Sequence, residues 1–435
     1  MTVTAPAIDD GFDDIEVPAL PRLLSDLDVS GAAVSLAQHR ATYAPPPAAR
    51  RRTDLIDSVE KAGLRGRGGA AFPTAKKLRA VAAGRGRPTV VVNGAEGEPA
   101  SAKDKLLLRR APHLVLDGAL LAAGAVRATE VVVCVDRTAT RSFRAVQHAL
   151  AERAAAGERT VPVRLAAVPH RYVAGEESAL VHWLDGGPAK PTLNRVFETG
   201  VGGNPTLVDN VETLAHLAQI GRWGPAWFRQ FGTEAEPGTF LVTVSGAVER
   251  PGVYEVPLGA PFADVMRATG AQPSRVPAVL VGGYFGTWLD GAALRRARLS
   301  NEYLRPLGSA LGCGAIVVLP RDVCGLHETA RILEWLAGES VGQCGSCVHG
   351  LAAIAGATAG VAHSRAGDDS IERLHRWAAQ VEGRGGCRFP DGAVRLLRSA
   401  LRVFADDVER HLRGEGCAAR PSVLTLLARK DEPWR

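Results

Sequence analysis

Two runs in the first third of the chain, Thr89-Val-Val-Val-Asn93 and Glu130-Val-Val-Val-Cys-Val135, are apolar at successive positions instead of alternating. A strand with one wet face alternates, so a strand apolar on both faces must be covered on both. That is the pattern of a parallel sheet held between helices. Helical spacing over Asp54 to Ala62 and between the two runs supplies covering layers, and the spacing predicts an α/β unit over residues 51–235. In such sheets ligands bind beyond the carboxyl ends of the strands, which directs attention to the polar residues that follow each run.

The flanking segments differ in character. Residues 1–50 open with Asp9, Asp10, Asp13 and Asp14 and close on Ala44-Pro-Pro-Pro47, which reads as a partly disordered lead with one short helix near Ser35 to His39. Over 236–320, Thr239-Phe-Leu-Val-Thr-Val-Ser-Gly246 and Gly252-Val-Tyr-Glu-Val256, joined by Glu249-Arg-Pro-Gly252, predict a hairpin and a small β-rich domain with a helix from Pro261. Beyond Arg321 the periodicity is helical again, through His327 to Ala337, Ile371 to Gln380 and Ala393 to Leu412, and predicts a helical domain over 321–420 followed by a tail at 421–435.

Composition excludes several classes. With 46% hydrophobic and 23% charged residues the chain reads as an ordinary globular protein. Its longest apolar stretch, Leu114 to Val126, is broken by Asp117 and too short to span a bilayer, so no direct membrane insertion is expected. Seven cysteines without a basic export signal argue for reduced thiols or metal ligands, and for the cytoplasm. Arg50-Arg51-Arg52 and Gly84-Arg85-Gly86-Arg87 lack interleaved aromatics and read as solvated faces, so no nucleic-acid partner is expected.

Three cysteines carry chemistry. Cys344-Gly-Ser-Cys347, answered by Cys387, is spaced as if to hold an iron–sulfur cluster, whose irons require soft anionic ligands. A cuboidal cluster asks for four, and three are evident. Four polar segments accompany them. Gly63-Leu-Arg-Gly66-Arg67-Gly68-Gly69-Ala70-Ala71-Phe72-Pro73-Thr74 lets backbone amides approach a phosphate, although a surface loop accounts for it equally well. Asn93-Gly-Ala-Glu96-Gly97-Glu98-Pro99 follows a buried strand. Tyr172-Val-Ala-Gly175-Glu176-Glu177-Ser178-Ala-Leu180 and Asn204-Pro-Thr-Leu-Val-Asp209-Asn210-Val-Glu212-Thr213 begin helices, where acids also serve simply as caps.

In this order, ahead of the cysteines, the four segments resemble the flavin-bearing, NADH-oxidising subunit of respiratory complex I and its relatives in NAD-linked hydrogenases and formate dehydrogenases. The resemblance covers roughly Pro21 to Leu412. It implies an α/β FMN-binding domain, a central soluble-ligand-binding β-grasp domain and a C-terminal α-helical iron–sulfur domain. It further implies that Gly66, Arg67, Gly68 and Lys77 surround the FMN phosphate and ring, with Asn93, Glu96, Asp209 and Asn210 near the flavin. Gly175, Glu176 and Glu177 would line the same cavity. Glu98 and Tyr172 would flank the nicotinamide side, Phe72 would stack on adenine and Lys190 would meet the dinucleotide. No side chain need act as nucleophile or base, and a partner redox protein takes the electrons.

The chain departs from that pattern. Val341 stands where a first cluster cysteine is expected, leaving 4Fe-4S, 3Fe-4S or an empty site open, with Cys313, Cys324 and His349 as substitutes for the missing ligand. Cys134 and Cys313 read first as packed small hydrophobes and Cys417 as an exposed free thiol. Ala95, Ala102, Ala80 and Leu193 replace expected acidic or aromatic groups, losses that fall on NADH more than on FMN. The Asn-Gly-Ala-Glu variant resembles the flavin-proximal subunit of ion-pumping ferredoxin:NAD oxidoreductases. Three readings therefore stay open: exchange between NAD(P)H and a partner protein, exchange with a ferredoxin or membrane reductase without NADH, and a non-catalytic binding scaffold.

Overall fold

A computed structural model describes residues 22–25, 27, 31–43, 52–158, 160–367, 369–417, 422–424 and 433–435. The acidic lead, Ala44 to Pro47 and most of the 421–435 tail lie outside the described residues. The expected short helix forms at Leu36–Thr42, started by Ser35 and Gln38, whose side chains bond each other's backbone amides.

The first sheet is wholly parallel. β1 (Thr89–Gly94), β2 (Glu130–Asp136), β3 (Val163–Val168) and β4 (Thr206–Asn210) lie in the order β3-β2-β1-β4. Both faces are covered, as the valine runs require. Val90, Val92, Val131 and Val133 pack into one core with the helices Pro112–Val126 and Val211–Phe228, whereas Val91, Val132 and Cys134 pack into a second with Leu180 and Val181. The chain moves outward from β1 to β2 and β3, then returns to β1's other edge as β4. That reversal is the topological switch point at which open parallel sheets bind ligands.

A second, mixed sheet has the order β6-β5-β9-β7-β8, from β5 (Thr239–Gly246), β6 (Gly252–Pro257), β7 (Ala278–Val281), β8 (Thr287–Asp290) and β9 (Ala315–Leu319). β5 and β6 form the expected antiparallel hairpin, and β5 pairs in parallel with β9. One face buries Val242, Val279 and Val318 with Phe262 and Met266, and the other carries Leu280, Trp288 and Val317 into the core of the C-terminal helices.

Those helices are Gly325–Gly338, Ala352–Ala362, Ser370–Val381, Phe389–Val403 and Ala405–Leu412, with a π-helical turn at Ser346–Leu351 carrying Cys347. The single helix expected over Ala393 to Leu412 is broken at Phe404, which caps both halves while burying its ring against Trp288. Among the described residues no helix is long and apolar enough to cross a membrane.

Candidate functional site

A cavity of about 490 Å³ opens at the switch point, within the range of cofactor sites. Asn93 and Asn210, register partners at the ends of β1 and β4, form part of its floor with Gly68, Gly69 and Ala70. Two loops meet closely at its rim: a Cβ on Gly97 would lie 2.8 Å from the Tyr172 carbonyl oxygen, and one on Gly175 would lie 2.5 Å from that of Ala95. Only glycine permits this approach. Asn93 locks the pair by donating from Nδ2 to the Gly175 carbonyl at 2.7 Å.

Glu98 is buried in the wall. Its carboxylate accepts from the Tyr172 hydroxyl (2.9 Å), the Tyr284 amide (2.9 Å) and the Ala100 amide (3.1 Å). Desolvation outweighs these donors and pushes its pKa up to about 7. Burial thus favours the neutral form of the Glu98 carboxyl at the cavity wall. Glu96 is tied by the Ser101 hydroxyl and by the amides of Asp104 and Lys105, so it caps the helix Lys103–Arg110.

The most buried charge lining the cavity is not among the cofactor-binding residues expected from the sequence. Lys103, 1% exposed, reaches Asp104 and Glu212 at 2.9 Å each and Asn210 at 3.4 Å, and Asn210 in turn donates to Asp104 at 2.6 Å. Lys103 and Asp104 both line the cavity. The sequence places Lys103 and Asp104 among the polar residues that follow the first strand, and only the long-range partner Glu212 shows that Lys103 is internal.

The expected residues sort into two groups. Gly68, Asn93, Glu96, Glu98, Tyr172, Gly175, Glu176, Asn210 and Cys387 line the cavity; Gly66, Arg67, Phe72, Lys77, Glu177, Lys190, Asp209, Cys344 and Cys347 do not. The Arg67 side chain lies apart from the cavity: its guanidinium turns to the second sheet, donating to the Thr239 carbonyl at 3.0 Å beside Glu212. It is a strut between the sheets. Lys77 stands behind the floor, on Glu177, the Val208 carbonyl and, at 3.9 Å, Asp209. Lys190 donates to the Val341 carbonyl at 2.9 Å, with its ammonium 4.9 Å from the centre of the Trp434 ring. Phe72 is half exposed and Leu193 almost fully so. Glu176 lines the cavity and also caps the helix Glu177–Leu184.

Backbone amides converge on the three cluster-type cysteines. The Cys344 sulfur faces those of Gly386, Cys347 and Ser346, Cys347 faces that of Val341, and Cys387 that of Phe389. The Cys344 sulfur is close enough to both Cys347 and Cys387 for each to feel it electrostatically. Three thiolates ringed by amide donors suit an iron–sulfur cluster. Val341 is buried and offers that ring no side-chain ligand. Of the proposed substitutes, Cys324 is excluded: it precedes the 14-residue helix Gly325–Gly338, whose far end leads to Val341, which separates the two by roughly 20 Å. Cys313 lines the flavin-side cavity and His349 is exposed.

Three family models match successive parts of the chain. Residues 59–219 match the Nuo51 FMN-binding domain, 241–275 the SLBB domain and 327–411 the NADH-ubiquinone oxidoreductase-F iron-sulfur binding region. The chain is 30% identical over 419 residues to an F subunit (F 2) of the NADH-quinone oxidoreductase of Rhizobium meliloti, covering 93% of this chain and 97% of that protein. This chain belongs to the family of NADH-quinone oxidoreductase F subunits. The corresponding protein of Streptomyces coelicolor is 31% identical over 394 residues, covering 87% of each chain. A crystal structure of an air-oxidised NAD+-reducing NiFe hydrogenase superposes with a TM-score of 0.78 at 31% identity, covering 90% of this chain and 69% of that one; for the H2-reduced state the TM-score is 0.77 and the coverages 87% and 66%. The chain is thus a multidomain α/β flavoprotein with a C-terminal iron–sulfur region.

The cavity fits the flavin of this family on its own evidence. It combines a glycine floor at the switch point with Asn93 and Asn210, and beside it the buried Asp209 Oδ2 has no hydrogen-bond partner.

Proposed function

We propose that this chain is an FMN- and iron–sulfur-containing electron-transfer subunit, an NADH dehydrogenase-like oxidoreductase that passes electrons between NAD(P)H and a partner redox protein. One observation carries the reading: a single cavity is bounded by the glycine floor and strand ends on one side and by Cys387 on the other, so flavin and cluster would be neighbours. Bound flavin supplies the link between a two-electron hydride donor and a one-electron centre. The residues of the chain do the positioning. Gly68 and Gly69 admit the flavin to the backbone, Asn93 and Asn210 offer amides at the strand ends, and Glu98 with Tyr172 holds a proton at the wall. Tyr172, Phe285 and Phe389 stack edge to face between cavity and cluster loop and keep water out.

We read the mixed sheet as the β-grasp unit and divide the chain at about residues 51–235, 236–320 and 321–420. Free cysteines throughout accord with a reducing compartment, and we place the chain in the cytoplasm.

A second reading, in which a ferredoxin or membrane reductase replaces NADH, is favoured by Lys190. The residue expected to meet the dinucleotide is instead engaged with Val341 and Trp434. Anaerobic purification with flavin, iron and sulfide analysis, followed by NADH and NADPH titration, tests both. Flavin and iron with bleaching by a nicotinamide nucleotide supports the first reading. Flavin without bleaching moves the assignment to the second, and a colourless protein overturns both.

A further inference from the structure

The C-terminal helices hold a second cluster of metal-type ligands, remote from the cavity. The sulfurs of Cys324 and Cys417 and a ring nitrogen of the buried His411 all lie within 4.8 Å of one another, with Cys324 Sγ 3.6 Å from His411 Nε2. Zinc bound by thiolate at about 2.3 Å and imidazole at about 2.0 Å in a tetrahedron sets the sulfur–nitrogen edge at about 3.6 Å. We propose that Cys324, His411 and Cys417 bind one zinc ion.

The surroundings are those of a built site. The amides of Leu326 and His327 point at the Cys324 sulfur, and Ser364 Oγ lies 3.4 Å from His411 Nδ1, fixing the ring with Nε2 toward the sulfurs. Both cysteines are free, so neither thiol is spent on a disulfide. Two thiolates and an imidazole select a borderline-soft cation over magnesium or calcium. Three protein ligands leave the fourth corner to water, and the His327 ring is 5.5 Å from that of His411, centre to centre. Cys324 and Cys417 both lie outside the matched iron–sulfur region, 327–411.

The consequence is mechanical. Cys324 begins the helix Gly325–Gly338, His411 sits in the last turn of Ala405–Leu412, and Cys417 lies on the segment leaving it. The chain beyond returns to the same helix end, where Ser422 and Leu424 donate to Glu328 at 2.6 and 3.2 Å. Zinc would staple the returning tail to the helix that leads to the cluster loop. Cys417, expected as an exposed free thiol, is half-buried and faces Cys324 and His411 instead.

The test is zinc counting and zinc K-edge absorption on the full-length protein, purified anaerobically, loaded with zinc chloride and desalted. About one zinc per chain with two sulfurs and one nitrogen in its first shell is expected. Cys417→Ser and His411→Gln should each lower retained zinc at least tenfold while flavin and iron content stay at the parent level. Zinc lost on desalting, an edge showing only nitrogen and oxygen, or full retention in both variants would overturn the proposal. If a variant fails to fold, the edge spectrum of the unaltered chain still decides. Because the readout is zinc, it stands or falls independently of flavin and NADH.

Discussion

At the scale of single residues, Glu98 is the group whose proton matters most. Burial lifts it from the ordinary 4.5 to about 7, so the folded protein holds a proton that the unfolded chain has already released across that window. Its contribution to stability is greatest below pH 4.5 and declines as pH rises toward 7, by roughly 3 kcal/mol in total. Glu98→Gln should flatten that part of the decline in thermal unfolding of the flavin-free protein between pH 5 and 7.5, leaving the part owed to Asp104, Asp209 and Glu255, whose pKa values burial also raises. A variant as pH-sensitive as the parent would show that Glu98 is not the proton holder. Ala71 gives a second residue-scale prediction. Its φ of 51° is left-handed, a region an alanine side chain resists, and it sits in the glycine loop beside the cavity floor. Ala71→Gly should stabilise the protein by about 0.5–1 kcal/mol in chemical denaturation, the relief of strain exceeding the entropy of the added freedom.

At the scale of elements, the helices Pro112–Val126 and Val211–Phe228 pack so closely that a Cβ on Gly118 would lie 1.9 Å from the Leu214 carbonyl oxygen. Backbone cannot yield as a side-chain end can. Gly118→Ala should cost about 2 kcal/mol in urea denaturation, overpacking outweighing alanine's better helix propensity. The same helices show why parts of the fold could be read in advance. Valines at consecutive positions state that β1 and β2 are covered on both faces, and the periodicity around Leu333 and Leu374 states that helices follow, so both were legible. β3 was not: its exposure alternates through Arg164 and Leu165 at the sheet edge and blurs the apolar run. Nor was the destination of long polar side chains. Arg67 and Lys103 each stand in a loop or helix start that looks ligand-facing or solvated, and what places them is Thr239 and Glu212, more than a hundred residues away. The clustering of glycines was legible, but its reason was not: Gly97 and Gly175 are required by the close approach of two loops about eighty residues apart in the chain, at Tyr172 and Ala95.

At the scale of the whole molecule, the cluster loop joins all three regions. Lys190 from the first holds Val341, Cys387 borders the cavity floored by Asn93 and Asn210, and Phe285 from the second packs edge-on against Phe389 and Tyr172. Val341 is where this arrangement is short of one ligand. Cys344, Cys347 and Cys387 can serve three irons, and an iron without a thiolate is lost first on oxidation, so the purified protein should show close to three irons per cluster after air exposure. Val341 is buried with its amide directed at the Cys347 sulfur, which puts position 341 beside the ligand ring. Val341→Cys should therefore add a fourth soft anion without enlarging the side chain and raise the air-stable iron count toward four. Iron counting with electron paramagnetic resonance on both proteins measures this. Four irons held in air by the unaltered chain would mean that His349 or solvent completes the cluster, and no iron after anaerobic reconstitution would mean that the three cysteines no longer bind one.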